Sequence, residues 1–193
     1  MNKWVFVRHG QSIANRDGWY SGSRDTTLTD TGRLQAKHCA FALRDEGIQR
    51  VLCSDLARAN ETATIIAHHL ALSCTTSPEL RERKLGLWDG LPRERFKQFG
   101  LHSLLTGWET APVEGESLQA VAKRACSWLE QQESSQTTLV VSHGGVLRAL
   151  IGLLDGVPTD RIGHWAPGNC QITIRTLPFG TWSQLTQLNA GSS

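Results

Sequence analysis

The sequence has 193 residues, of which 39% are hydrophobic, and it carries 20 Lys and Arg against 18 Asp and Glu. This length is typical of one domain with a substantial core. The net charge of +2 is spread along the chain and gives no reason to expect nucleic acid or a membrane surface as a partner. No apolar run approaches the roughly 20 residues that span a bilayer, and no signal peptide precedes the first apolar run. We therefore expect a cytoplasmic protein.

The five cysteines are odd in number, scattered, and never spaced as Cys-x-x-Cys. This pattern argues against a disulfide framework and against a zinc site. We expect most of them to be small core residues. They are Cys39, Cys53, Cys74, Cys126 and Cys170.

Two apolar runs end in the same way. Residues 4–10 finish on Arg-His-Gly, and residues 139–144 finish on Ser-His-Gly. Each pattern is typical of a buried strand with polar residues at its end. If the strands are parallel neighbours, His9 and His143 meet at the carboxyl edge of the sheet, where open α/β sheets bind ligands. A histidine at a strand end is otherwise usually a surface residue, but Arg8 beside His9 favours a site.

The first strand leads into a polar segment. Residues 11–25 are rich in Gly and Ser and predict a loop, with at most one helical turn, over the strand end. Thr29 is placed to cap a helix over about 30–45. The predicted packed face of this helix carries Leu34, Phe41 and Ala42.

A second strand and helix follow. Residues 51–53 predict a short strand, Ser54 is a good N-cap, and residues 55–70 carry an apolar stripe. Arg58 falls in the first helical turn, where free N–H groups and the helix dipole favour an anion. A solvated surface arginine is the alternative interpretation.

The rest of the chain divides into an irregular part and a regular part. Residues 78–114 break the pattern and predict a lid-like insertion over the sheet edge, with a helical patch over 93–100. Helices are predicted from about 118 to 129 and from 145 to 154. The segments 171–175 and 182–188 predict a closing hairpin. The alternation of strands and helices indicates a single α/β domain over residues 1–193 with a partly parallel sheet.

The paired histidines suit chemistry on a phosphate monoester. A neutral imidazole is not repelled by the phosphate charge, so His9 can attack phosphorus and form a phosphohistidine. Arg8 and Arg58 can neutralise the phosphoryl oxygens as planar cations, and His143 can add hydrogen bonds.

Departure of the alcohol requires a proton from an acid near the site. We favour Glu82. On residue chemistry alone four other carboxylates near motif-like stretches are equally eligible, namely Asp17, Asp25, Asp89 and Glu116.

An ordered series of motifs resembles the histidine phosphatase superfamily, which includes cofactor-dependent phosphoglycerate mutase. The series comprises Val7-Arg8-His9-Gly10 with Asn15, Leu28-Thr29 with Gly32, Ser54-Asp55-Leu56 with Arg58-Ala59 and Thr62-Ala63, Leu80-Arg81-Glu82, Gly115-Glu116-Ser117, and Val141-Ser142-His143-Gly144. It covers most of the chain in the order that the family shows.

The resemblance implies a three-layer α/β/α sandwich around a mostly parallel sheet, as in phosphoglycerate mutase. It implies His9 as the phosphorylated nucleophile, Arg8, Arg58 and His143 as the phosphate pocket, and Glu82 as the general acid and base. It further implies substrate contacts from Asn15, Ser21, Gly22 and the amide of Gly144. It implies no metal and no cofactor, and a small phosphorylated metabolite as partner. The oligomeric state stays open, a homodimer included.

Within the family, the phosphatase branch fits better than the mutase branch. Leu85 stands where the mutases carry a tyrosine, and no adjacent arginine pair occurs between Trp88 and Glu114. The compact length and the stretches 18–22 and 52–54 look more like α-ribazole 5′-phosphate phosphatases and their broad-specificity relatives. Mutase-type transfer and a non-catalytic phosphate-binding module are the alternatives. A serine esterase is disfavoured because the sequence has no Gly-x-Ser-x-Gly elbow.

Overall fold

The computed structural model describes residues 1–100 and 105–190, with side chains described as far as residue 187. The strands are β1 (Asn2–Arg8), β2 (Arg50–Ser54), β3 (Cys74–Ser77), β4 (Thr138–Ser142) and β5 (Ile172–Leu177). The helices are α1 (Ile13–Asp17), α2 (Asp30–Leu43), α3 (Ala57–His69), α4 (Arg93–Gln98), α5 (Leu118–Gln131), α6 (Gly144–Leu154), α7 (Thr159–Ile162) and α8 (Thr181–Ala190). Short 3₁₀ turns cover Pro78–Leu80 and Gly86–Trp88.

The five strands form one mostly parallel sheet in the order β3-β2-β4-β1-β5. Only β5 runs antiparallel, beside β1. The register pairs Arg8 with Ser142, so the two His-Gly ends leave adjacent strands at the same edge. The predicted α/β class and the parallel neighbourhood of the two histidine strands are confirmed.

Alternate residues of each strand pack on opposite layers of helices, because side chains of a strand point to the two faces in turn. Trp4 and Phe6 face the cluster that includes Trp182 of α8. Val5 and Val7 face the cluster built with α2 and α3. This gives the three-layer arrangement and explains why the central strands read as continuous apolar runs.

The irregular segment 78–114 packs on the loop that follows α1. Tyr20 N donates to Leu91 O (3.0 Å), and Gly90 N donates to Tyr20 O (2.7 Å). Leu85, Phe96 and Leu105 form a small apolar cluster with Tyr20 at its edge. The segment therefore packs against the loop that follows α1, while its role as a lid-like insertion over the sheet edge stays a prediction, and residues 101–104 lie outside the described residues.

Two local predictions are wrong, namely the packed face of α2 and the cap of α3. Leu34 and Phe41 are 55% and 66% exposed and Ala42 is also exposed, because α2 packs through the smaller residues Ala36, Cys39 and Ala40. Ser54 ends β2 and does not cap α3, whose helix begins at Ala57.

The predicted closing hairpin also fails. Residues 172–177 pair with β1 instead of with a local partner. Residues 181–190 form α8, which packs Trp182 edge-on against Trp4, with ring centroids 5.2 Å apart. A nonlocal strand partner and an aromatic core contact therefore decide the end of the fold.

No helix among the described residues combines the length and the apolar character needed to cross a membrane.

All five cysteines are free, with Cys39, Cys53 and Cys126 buried and Cys74 and Cys170 partly buried. The expectation that most cysteines are small core residues is confirmed.

Candidate active site

A cavity of about 140 Å³ opens where β1, β2 and β4 end. Eight of the nine predicted site residues line it, the exception being His143, whose ring packs edge-on against that of His9. Residues that are far apart in sequence therefore meet at the carboxyl edge of the sheet. This is the position at which parallel α/β sheets bind their ligands.

His9 is oriented by its own backbone neighbour. Its Nδ1 lies 2.7 Å from Gly10 O, a carbonyl that can only accept, so Nδ1 carries the proton. Among the described residues Nε2 has no hydrogen-bond partner, and the ring lines the cavity. Burial, followed by the charges of Arg58 and Arg8, lowers the pKa of His9 well below 6.5. The imidazole is therefore neutral at physiological pH, with a free lone pair on Nε2.

His143 packs edge-on against His9, with the ring centroids 5.1 Å apart. Its Nε2 lies 2.8 Å from Ser54 Oγ. Its buried Nδ1 has no partner within the described part of the chain. Burial, then Arg58 and His9, lowers the pKa of His143 well below 6.5, so this ring is neutral as well.

Arg8 and Arg58 supply positive charge that no carboxylate fully neutralises. Arg8 Nη1 donates to Pro167 O (2.7 Å), and Arg58 donates to the carbonyls of Gly22 (2.8 Å) and Arg24 (3.0 Å). Burial lowers the pKa of both guanidinium groups, which nevertheless remain cationic at neutral pH. Asp25 Oδ1 lies 4.0 Å from Arg58 Nη1, but the buried Nε atoms of Arg8 and Arg58 lack a partner among the described residues, and a bound anion can satisfy these donors.

Glu82 lies at the N-terminus of α6, which favours a negative charge. Gly145 N is 3.1 Å from each of its carboxylate oxygens, and Arg83 N donates to Oε1 (2.8 Å). A Cβ atom at position 145 would overlap Glu82 Oε1, so the carboxylate approaches this closely only because residue 145 is glycine.

The four other candidate acids lie elsewhere. Asp17 pairs with Arg16 at the surface, and Glu116 pairs with Arg124. Asp25 accepts from Ala57 N (2.9 Å) at the start of α3, which makes it the cap that we had assigned to Ser54. Asp89 accepts from Ser23 Oγ (3.1 Å), and burial raises its pKa. Glu82 alone of the five lines the cavity.

The outer part of the cavity holds residues that sequence patterns did not reveal. They include Trp19, Tyr20, Arg93 and Arg148. The Arg93 guanidinium lies over the Tyr20 ring, 5.5 Å from its centroid. Arg148 follows Gly144 by one helical turn, and this i, i+4 spacing is the one signal that places it on the same face.

These arginines make the cavity strongly positive. Arg93 and Arg148, like Arg58, lower the pKa of Arg8, while Glu82 raises it. Arg148 donates to Gly163 O (2.8 Å) and Gly144 O (3.3 Å). Within the described residues neither Arg93 nor Arg148 forms a salt bridge.

Comparison with known proteins gives a consistent result. The sequence profile described as Histidine phosphatase superfamily (branch 1) matches residues 4–189. The adenosylcobalamin/alpha-ribazole phosphatase of Escherichia coli (strain K12) is 35% identical over 174 residues, covering 86% of this chain and 84% of that protein. The probable phosphoglycerate mutase GpmB of Yersinia pestis is 31% identical, covering 86% and 81%.

Solved structures show the same relationship. A mycobacterial glucosyl-3-phosphoglycerate phosphatase complexed with VO3 superimposes with a TM-score of 0.83 at 28% identity, covering 90% of both chains. A putative alpha-ribazole-5′-P phosphatase from Escherichia coli gives 0.77 at 30% identity, covering 90% of this chain and 89% of that one. The profile match, the relatives and the fold agree, and the chain belongs to the histidine phosphatase superfamily.

Proposed function

We propose that this protein is a phosphatase that hydrolyses a small phosphate monoester through a phosphohistidine on His9. The observation that carries the proposal is the neutral His9 ring, with Nδ1 tied to Gly10 O and Nε2 open to a cavity that holds Arg8 and Arg58. Family membership and the named phosphatase relatives support hydrolysis.

In the first step Nε2 of His9 attacks phosphorus. The N–P bond forms as the bond from phosphorus to the ester oxygen breaks, and Glu82, which must be in its protonated form for this step, gives its proton to the departing alkoxide and becomes the carboxylate. Arg8 and Arg58 stabilise charge on the phosphoryl oxygens. The products are a free alcohol and phospho-His9.

In the second step water attacks the phosphorus of phospho-His9. The Glu82 carboxylate accepts a proton from that water, the N–P bond breaks, and inorganic phosphate leaves. The ring nitrogen regains its lone pair, so the residues return to their starting state. No metal or diffusible cofactor enters either step.

His143 assists as a neutral donor. The Ser54 hydroxyl faces Nε2, so Nδ1 is the ring atom left to donate to a phosphoryl oxygen. Ser142 beside it is not a free nucleophile, because its hydroxyl donates to Leu80 O (2.8 Å). This contact disfavours the serine esterase alternative.

We expect the leaving group to be a ring-bearing sugar alcohol, with α-ribazole 5′-phosphate as the leading substrate. The aromatic side chains of Trp19 and Tyr20 line the cavity and provide faces on which a planar base can pack. The similarity to alpha-ribazole phosphatases supports the same choice. A cytoplasmic location stays a prediction from the sequence.

A second candidate is a phosphate ester whose leaving group carries a carboxylate. The guanidinium groups of Arg93 and Arg148, which form no salt bridge with any described residue, favour it, because a surplus of cations beyond those facing the phosphate suits a further anion. Relatives named for phosphoglycerate chemistry point the same way. Mutase-type transfer would use this same group of substrates.

One experiment tests the main proposal. Brief exposure to a ³²P-labelled ester and acid-free quenching should trap a label on His9 that survives alkali and is lost in acid. Release of inorganic phosphate, compared with transfer to an added phosphoglycerate, separates hydrolysis from mutase activity. A panel containing α-ribazole 5′-phosphate, phosphoserine, 3-phosphoglycerate and an aryl phosphate then ranks the two candidate leaving groups. Absence of label and of turnover at every pH would indicate a non-catalytic binding module.

A further inference from the structure

A loop late in the chain contacts Arg8, His9 and Asn15 of the candidate site. It comprises residues 167–171, between α7 and β5, and we call it the 167–171 loop. Arg8 Nη1 donates to Pro167 O (2.7 Å), and Cys170 N donates to Arg8 O (2.9 Å). Asn169 Nδ2 donates to His9 O (2.9 Å) and to Asn15 Oδ1 (3.1 Å). No motif identified in the sequence includes this loop.

The hydrogen-bond partners of Asn15 fix the direction of its amide. Ser12 N, a backbone group that can only donate, lies 3.2 Å from Asn15 Oδ1. The Asn169 amide donates to that same oxygen. Because two donors face it, this atom must be the oxygen, and the Asn15 NH₂ group is turned away from both.

The partners of Asn169 are fixed in the same manner. His9 O can only accept, so the Asn169 atom beside it must be the NH₂ group. Rotating the Asn169 amide by half a turn would place its oxygen against two acceptors. The backbone N–H of Ser12 therefore determines the orientation of the Asn15 amide, and the backbone carbonyl of His9 determines that of the Asn169 amide.

We propose that Asn169 is a positioning residue that holds the Asn15 NH₂ group toward the phosphoryl group. Asn15 lines the cavity. Because Ser12 and Asn169 both donate to its oxygen, the hydrogens of its NH₂ group are available to a bound anion. The inference rests on the proposed function for the identity of that anion. Without Asn169, a single hydrogen bond from Ser12 opposes rotation of Asn15, which would turn its oxygen toward the phosphate.

The test compares Asn15→Ala, Asn169→Ala and the double variant. We expect N169A to lower kcat/KM for an aryl phosphate by about tenfold, consistent with loss of one oriented neutral donor. In the N15A background the added N169A change should cause no further loss, because the two residues act as one unit. An equal loss in both backgrounds would overturn the proposal and assign the effect to His9 O or to the loop itself.

An isosteric variant guards against a folding defect. Asn169→Asp keeps the size of the side chain but offers only acceptors to His9 O and Asn15 Oδ1, so we expect a larger loss than in N169A. Gln171→Ala is the matched control, because Gln171 Oε1 accepts from Gly168 N within the loop (2.7 Å) and is not among the residues lining the cavity. Its kcat/KM should equal that of the wild type.

Binding of orthovanadate and of inorganic phosphate, measured by calorimetry, gives a readout that needs no turnover. We expect N15A, N169A and the double variant to lose the same factor in affinity. Unchanged affinity in a folded N169A protein would refute the role of Asn169. A wild-type protein that binds phosphate but hydrolyses no ester would contradict the proposed function alone, and the comparison of variants would still decide the role of Asn169.

Discussion

The two ends of the cavity are built differently. The proposed mechanism assigns the phosphate to one end, which we call the phosphate end, where His143, Arg58 and His9 are 0%, 1% and 3% exposed and stand at strand ends and in the first turn of α3. It assigns the alcohol to the other, which we call the leaving-group end, where Tyr20 and Arg93 are only half-buried and lie in or beside irregular segments. In the proposed mechanism the chemistry is therefore attached to the rigid core, and recognition of the alcohol is attached to loops.

This difference has an energetic reason. Stabilising phosphoryl charge requires donors that do not reorganise during the reaction, and burial in the sheet edge provides that rigidity. The outer segments are joined mainly by backbone bonds such as Tyr20 N to Leu91 O. Such segments tolerate changes of sequence, so the same phosphate end can serve esters of different alcohols.

Removal of the nucleophile should give the largest effect. His9→Ala should lower kcat by on the order of 10⁴-fold or more, since no other group can form the covalent intermediate. Steady-state kinetics and the phosphoenzyme assay measure it. His68→Ala, at an exposed site on α3, is the matched control. Substantial turnover by the His9→Ala protein would refute the mechanism and remove the distinction between the two ends.

Removal of the acid should come second. Glu82→Gln should lower kcat by about 10²–10³-fold for an alkyl phosphate, within the range for general acid–base catalysis. The loss should be smaller for an aryl phosphate, whose leaving oxygen needs less protonation. Glu116→Gln serves as the control, because Glu116 pairs with Arg124 outside the cavity. An equal loss for both esters would assign Glu82 a role other than proton donation.

Stability should depend on pH through the two buried rings. His9 and His143 have folded-state pKa values well below 6.5, so below that pH the unfolded chain takes up protons that the folded chain does not. The free energy of unfolding should therefore be largest above pH 6.5 and fall as pH decreases, by up to about 1.4 kcal/mol per unit for each ring. Urea unfolding between about pH 7 and pH 5 measures the slope.

The matched variants isolate each ring. His143→Asn should reduce the slope of unfolding free energy against pH by the contribution of one ring. His68→Asn, at an exposed position, should leave the slope unchanged. A slope that His143→Asn does not alter would mean that the His143 ring is protonated in the folded protein, contrary to the neutral imidazole described above.

The leaving-group end should give the smallest and most selective effect. Arg93→Gln should raise KM for a carboxylate-bearing ester by about tenfold, as expected for loss of a hydrogen bond to a charged group. An aryl phosphate whose leaving group carries no charge should show little change. Arg95→Gln, exposed on the same short helix, is the control. Equal losses on both substrates would indicate that Arg93 acts on the phosphate and that the two ends are not separate.

The sequence predicts that the residues of the phosphate end lie close together, as they do, because their signals are local. Each histidine closes an apolar strand, and Arg58 opens a helix, so proximity follows once the strands are parallel neighbours. Arg93, Arg148 and Asn169 carry no comparable local signal, since their places depend on tertiary packing.

The errors in the fold have a similar origin. Helical periodicity located α2 but selected Leu34 and Phe41 over the smaller residues, because close packing of α2 on α3 favours Ala and Cys at the contact. The segment 171–175 is predicted as half of a local hairpin, yet the strand found there, β5, pairs with the first strand. Distant pairing of this kind leaves no trace in a short window of sequence.

The position of β1 between β4 and β5 affects how the enzyme folds during synthesis. β1 leaves the ribosome well before its two partners β4 and β5, so Arg8 and His9 lack their surroundings until those strands have been made. Nascent or truncated chains that lack β5 should accordingly be inactive even when they contain every group proposed to contact phosphate. Such long-range closure also predicts slow folding relative to proteins of this size with mainly local contacts.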